Sequence, residues 1–297
     1  MEAMKDCGAT YWYRLIGVPF WQGYVEALQV KTRVVMAGNG PPILFLHGIA
    51  GTLEAHLNLL PCLLQDYRLV LYDMPGRGFS DFPDHPYTID YLAQHLVALQ
   101  EALALEPALW VGQSLGGWVA AWAAAHYPGK ALGLVLNNPG NVKSRPEALE
   151  RLRTSNLNLA RNPTREEIRS RMSWLFHRQE CRREDDVAIR YLAYSRPGFA
   201  RAMEHISAML VPEVRARYLW RPEWLSRIDV PALLIWSRGN PLATREDMAE
   251  LASWFPRGRL VELGASGEFP QVEEEEAFVA LLQKFCQEAF GIGFDPS

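Results

Sequence analysis

The chain has 297 residues, 49% hydrophobic and 22% charged, a balance that supplies a full core and excludes disordered, collagen-like and coiled-coil classes. Its length suits two units or one large α/β domain with an insertion. Thirty basic against 34 acidic side chains leave a net charge of -4, so nucleic acid and anionic membranes drop out as partners.

Cys7, Cys62, Cys181 and Cys286 lie far apart with no CxxC pair, which predicts a reduced, cytoplasmic chain with neither a disulfide framework nor a zinc knuckle. The aromatic opening (Tyr11, Trp12, Tyr13, Phe20, Trp21) carries Glu2 and Asp6 and no cleavage site, unlike a signal peptide. Val25 to Val30 and Thr32 to Ala37 read as two antiparallel strands. Short apolar runs follow at Ile43 to Leu46, Leu69 to Asp73, Leu109 to Val111, Leu132 to Leu136, Ala232 to Trp236 and Arg259 to Leu263. Bounded by Gly, Pro or charge, they read as buried parallel strands. Helical period fills the gaps, as in Ile89 to Leu105 and Leu115 to His126. The pattern predicts an α/β fold: a mainly parallel eight-stranded sheet with helices on both faces. Between Asn141 and Pro222 the strands stop and helical pattern takes over. We therefore expect a core of residues 1–140 and 222–297 and a helical cap at 141–221. Residues 143–222 hold 17 Lys and Arg against 10 Asp and Glu. These cations either steer an anionic substrate or are solvated helix faces paired with Glu166, Glu167, Glu184 and Asp185. The acidic run Glu273 to Glu276 reads as a helix start facing the positive dipole end.

Gly112-Gln113-Ser114-Leu115-Gly116 is a G-x-S-x-G sequence directly after a strand and before a helix. That context makes it a nucleophile elbow, with Ser114 lifted from the sheet edge and the Leu115 N–H facing the same space. Leu46-His47-Gly48-Ile49 is a loop of the kind that supplies a second oxyanion-hole N–H, from Ile49, with His47 bracing the loop. Asp73 to Ser80 forms a tight loop without a phosphate-binding pattern.

These three segments in this order resemble the α/β-hydrolase superfamily over nearly the whole chain. Asn162 to Ile168 and Tyr194 to Phe199 look like the meta-cleavage-product hydrolases, which cut carbon–carbon bonds of vinylogous diketones. The resemblance implies a site between cap and core, with no metal and no organic cofactor. It also exposes two departures. The family's acid follows the seventh strand, where this sequence has Asn240; its histidine follows the last strand, where this sequence has Glu268. Asn137 and Asn138 fill the alternative acid position, no other histidine follows the last strand, and Glu246 and Asp247 read as helix-dipole partners.

Ser114, Glu268 and Asn240 are therefore the candidate catalytic residues and Leu115 and Ile49 the oxyanion donors. Candidate substrate-binding residues are His47, Gly48, Gln113, Trp174, Tyr194, Trp236 and Phe269. Beside Phe269 and Trp236, Glu268 is expected to have a raised pKa and to act as acid or base. Non-hydrolytic chemistry at a carbonyl (isomerisation, cyclisation, elimination or decarboxylation) leads this reading, because an ordinary carboxylate is a weaker base than imidazole. The alternatives are an ester, lactone or carbon–carbon hydrolase using Ser114 or an activated water, and a non-catalytic ligand receptor. The expected partner is a small aromatic or polyketide-like molecule, and a homodimer is left open.

Overall fold

A computed structural model describes residues 10–143 and 146–291. The strands are β1 (Phe20–Ala27), β2 (Val30–Ala37), β3 (Pro42–Leu46), β4 (Arg68–Tyr72), β5 (Ala108–Gln113), β6 (Ala131–Asn137), β7 (Ala232–Ser237) and β8 (Gly258–Leu263). They form one sheet in the order β1-β2-β4-β3-β5-β6-β7-β8. β2 runs antiparallel to β1 and β4, and every other pair is parallel.

The central strands are apolar except at their ends, where Arg68, Gln113, Asn137 and Ser237 lie, because side chains alternate between two buried faces. Leu44, Leu46, Val70, Tyr72, Trp110, Leu134, Leu136 and Leu234 pack on one side, with the helices Ile89–Ala102 and Leu115–His126. Ile43, Phe45, Leu69, Leu71, Leu109, Val111, Val135, Leu233 and Ile235 pack on the other, with the helix Glu275–Phe290. Each such Leu, Ile, Val or Phe is worth about 1.5–3 kcal/mol of burial.

The first hairpin differs from its sequence reading. β1 begins at Phe20, and the turn falls on Leu28 and Gln29, at φ 49° and 61°. A two-residue left-handed turn matches strand twist. Neither residue is Gly, Asn or Asp, so the sequence carries no turn signal there. Val30 opens the second strand instead of closing the first.

The parallel register aligns the strands' carboxyl ends: Leu46 pairs with Gly112, Gln113 with Asn137, Asn137 with Ile235 and Ser237 with Leu263. Loops after five strands therefore open on one edge. Between β6 and β7, the described residues form helices at Pro146–Arg161, Arg165–Leu175, Glu184–Tyr194 and Phe199–Ser207, with shorter turns after them and no strand. Thr164 starts the second of these by accepting the Glu167 N–H at 3.1 Å. Cys181, buried in this insertion, is disulfide-bonded. The expectation of a reduced chain fails at that position, since linear spacing does not say which cysteines meet in space. Cys62 and Cys286 are free. No helix among the described residues is long and apolar enough to cross a membrane.

Candidate active site

Ser114 follows β5 with φ 54° and ψ −116°, a conformation L-residues avoid. The surroundings hold it there. Its N–H donates to Asn137 O at 2.9 Å, and its carbonyl accepts from Gly117, Trp118 and Gly140 N–H. A Cβ on Gly112 would lie 2.4 Å from the Gly116 backbone, and one on Gly116 would lie 2.3 Å from Leu46 O. Both glycines are thus required for the helix start to close on the strand. The Leu115 N–H, at the first helical position, and the Ile49 N–H donate to no other group among the described residues. Ile49, Leu115 and Ser114 line one cavity.

Glu268 is 3% exposed. Its carboxyl lies near enough to Ser114 for the hydroxyl to favour the ionised form, while Gln113 Nε2 donates to Oε1 and Asn240 Nδ2 to Oε2, each at 2.8 Å. Asn240 is oriented in turn, its Oδ1 accepting the Leu242 N–H at 2.7 Å and the Ala243 N–H at 3.3 Å. Desolvation pushes Glu268 up to about 8, against the pull of Ser114, Asn240 and Gln113.

The loop carrying Glu268 is tied to the insertion. The Glu268 N–H donates to Leu175 O at 2.8 Å, and Phe269 stacks on Phe176 with ring centroids 4.7 Å apart. Glu273 accepts the N–H groups of Gly267, His177 and Arg178 at 2.7–2.9 Å, which makes it the loop's anchor. Of the acidic run, Glu275 and Glu276 lie in the first turn of the last helix as expected, while Glu273 ends the short helix Pro270–Glu273 and serves the loop.

Two narrow cavities of ≈ 40 and ≈ 50 Å³ flank Ser114 and share Ile49, Leu152 and Leu242. The first is edged by Gly48, Gln113, Glu268, Phe269 and Tyr194, whose hydroxyl donates to Ala50 O at 2.6 Å. It also receives two guanidinium groups from the insertion, Arg171 and Arg190. Arg171 is 9% exposed, donates to Ser155 Oγ at 2.9 Å and has no carboxylate within ion-pair distance among the described residues. Burial lowers its pKa. Arg190, 6% exposed, pairs with Asp186 at 3.0 Å through NH1. The second cavity is apolar, with Trp118, Val142, Leu149, Met209 and Leu210, and reaches Asn138, Asn141 and Arg215.

Several sequence candidates sit elsewhere. His47 is fully buried beneath the loop, its Nδ1 donating to Gly48 O at 2.8 Å and its Nε2 accepting the Met74 N–H at 3.1 Å. Burial pushes it down to about 3, so it is neutral and braces the loop without touching the cleft. Trp174 lines an outer groove under Arg151, which Arg171, three residues earlier on the same helix, also edges. Trp236 donates Nε1–H to Ala243 O at 3.0 Å and faces another outer groove. No histidine lines either cavity. Asn138 binds Ser237 and the Gly267 carbonyl, and Asn137 binds Gln271. Asp247 forms a capping box with Thr244. Among the described residues no three His, Cys, Asp or Glu gather as a metal site would need.

Arg171 and Arg190 were not singled out by the sequence, although a signal is there. Ile168, Arg171, Met172 and Leu175 fall on one helical stripe, and Val187, Arg190 and Tyr194 on another. An arginine in an apolar stripe is buried for a reason.

Residues 41–275 match the family model described as alpha/beta hydrolase fold. The chain belongs to the α/β-hydrolase fold family. It is 29% identical over 275 residues to 2-hydroxymuconate semialdehyde hydrolase of Pseudomonas sp. (strain CF600), covering 89% of this chain and 93% of the relative. It is 26% identical over 248 residues to pimeloyl-[acyl-carrier protein] methyl ester esterase of Edwardsiella ictaluri (strain 93-146), covering 82% and 92%. Among solved structures, a meta-cleavage product hydrolase superposes with a TM-score of 0.77 at 26% identity, over 90% of this chain and 98% of that one. The hydrolase of 2-hydroxy-6-oxo-6-phenylhexa-2,4-dienoate from Rhodococcus sp. strain RHA1, at 20% identity and a TM-score of 0.79, shares the fold over 92% and 99%.

Proposed function

We propose that this α/β-hydrolase-fold protein hydrolyses a small carbonyl compound that carries a carboxylate, using Ser114 as nucleophile and Glu268 in place of the usual histidine. The observation that carries the reading is the buried Glu268 carboxyl, lining the same cavity as Ser114, held by Gln113 and Asn240 and raised to about 8 by burial. A sequence-level objection to hydrolysis was that a carboxylate is too weak a base. Burial removes it, because a carboxyl at about 8 is at least as basic as a free imidazole, near 6.5. The relatives, all named as hydrolases or esterases, favour hydrolysis over non-hydrolytic chemistry.

In this mechanism ionised Glu268 takes the Ser114 proton as Oγ bonds to the substrate carbonyl carbon. The Ile49 and Leu115 N–H groups hold the resulting oxyanion. Collapse breaks the bond to the leaving alkoxide or carbanion, which takes the proton from Glu268. Water then attacks the acyl group, giving its proton to Glu268, and Ser114 leaves with that proton. Asn240 and Gln113 fix the carboxyl as an orienting carboxylate fixes a histidine. Buried Arg171, lacking a carboxylate partner, supports an anionic substrate group, since an unpaired buried cation is costly without one. The insertion acts as the cap over this site.

The test uses 2-hydroxymuconate semialdehyde and p-nitrophenyl hydrogen succinate beside neutral p-nitrophenyl acetate, in H₂¹⁸O. Label should enter the acid product, with kcat/KM higher for the carboxylate-bearing compounds, and Glu268→Gln should lower kcat by about 10² to 10⁴. Turnover without label would return the site to proton transfer at a carbonyl, and undiminished kcat in Glu268→Gln would remove Glu268 as the base.

A further inference from the structure

The aromatic segment before β1 has no part in the chemistry above, yet it is tied to the cavity's cations. Tyr11, in the short helix Tyr11–Leu15, is 5% exposed and its hydroxyl donates to Asp186 Oδ1. That same oxygen accepts Arg190 NH1 at 3.0 Å. The neighbouring contacts repeat the tie: Thr10 Oγ1 and the Tyr11 N–H both donate to Asp185 Oδ2, the latter at 3.1 Å. The Arg183 guanidinium lies 5.1 Å from the centre of the Tyr11 ring. At the other end of the segment, Arg14 makes a two-pronged ion pair with Glu275, at the start of the last core helix. Leu15 packs into the core beneath. One short stretch of chain therefore grips both the insertion and the core.

Asp186 is the hinge of this arrangement. It is 4% exposed, and burial raises its pKa while Arg190 lowers it. A buried carboxylate needs donors to stay ionised, and the Tyr11 hydroxyl is the donor that comes from outside the insertion. Held ionised and in place, Asp186 tethers one nitrogen of Arg190, a residue that edges the cavity beside Ser114 and whose Nε and NH2 donate to no group among the described residues.

We propose that residues Thr10–Leu15 form a strap across insertion and core, and that Tyr11 is a positioning residue that sets Arg190, through Asp186, to receive the carboxylate of the ligand. This rests on the anion-binding reading of the first cavity. Losing the hydroxyl frees Asp186 to turn or take up a proton, and Arg190 loses its tether. Binding of charged ligands weakens while binding of neutral ligands of the same shape does not.

The experiment measures, by calorimetry at pH 7.5, the affinities of 2,4-hexadienoate and of its neutral amide for the wild-type chain, Tyr11→Phe and Arg190→Met. Tyr11→Phe keeps the ring and its packing. The wild type should prefer the acid by at least about tenfold, as for one charge-assisted hydrogen bond. Arg190→Met should reduce the preference by about tenfold or more, the remainder coming from Arg171. Tyr11→Phe should reduce it by about three- to tenfold, with the amide's affinity unchanged. If Arg190→Met reduces the preference and Tyr11→Phe leaves it whole, or weakens acid and amide alike, the strap proposal is overturned and the anion site stands. A wild type that binds neither, or binds both equally, overturns the anion site and the strap with it.

Discussion

The two cavities beside Ser114 are built from different materials. The first is edged by the Gly48 loop, Glu268 and two buried arginines delivered by the insertion. The second is walled by Trp118, Val142, Leu149, Met209 and Leu210. Ser114, the proposed nucleophile, stands at their boundary, so a substrate with one charged and one apolar end would have a single favourable orientation. Charge imposes the stronger constraint, because an apolar group against unpaired Arg171 leaves a buried cation unsatisfied, while an apolar wall discriminates by only about 1–3 kcal/mol per methylene.

The sharpest way to break this asymmetry is to remove the charge. Arg171→Met preserves much of the stem's volume and should raise KM for p-nitrophenyl hydrogen succinate by about 10- to 100-fold, the range for losing a hydrogen bond to a charged group. KM for p-nitrophenyl acetate should stay within twofold. Equal effects on both esters would mean that Arg171 only supports the insertion. A smaller effect is expected from the apolar side. Leu149→Phe narrows the second cavity and should lower kcat/KM for p-nitrophenyl octanoate against p-nitrophenyl acetate by about three- to tenfold, leaving the preference for the succinate monoester intact. A loss of that preference would show that the two cavities are one.

How much of this was legible beforehand follows the same division. The strand–Gly-x-Ser-x-Gly–helix succession dictates the elbow by local sterics, and the positions of Glu268 and Asn240 follow from counting strands. The meeting of Glu268 with Asn240 and its place in one cavity with Ser114 depend on register between strands far apart in the chain, which short-range pattern only implies. The insertion was visible as missing strand pattern, and its inward arginines were not. Arg171 and Arg153 look alike in composition, yet one is buried at the cavity and the other is exposed on Glu150; the helical stripe separates them only once the packed face is known. Trp174 and Trp236 failed for the converse reason, since aromatic character says nothing about which face of an element points into the cleft. The raised pKa of Glu268 was legible from its expected apolar neighbours, while its extent, which underlies the proposed capacity to act as base, follows from the burial of the carboxyl.

That capacity is the central claim, and the rate of fluorophosphonate labelling of Ser114 between pH 6 and 10 tests it without knowledge of the natural substrate. A group whose pKa is raised to about 8 is ionised, and able to accept the Ser114 proton, only as pH climbs through that value. Labelling of the wild type should therefore rise about tenfold per pH unit below 8 and level off above it. Glu268→Gln should label slowly and without that inflection. A wild-type rate that is flat across the range, or an unchanged profile in Glu268→Gln, would contradict the account and assign the activation of Ser114 to another group.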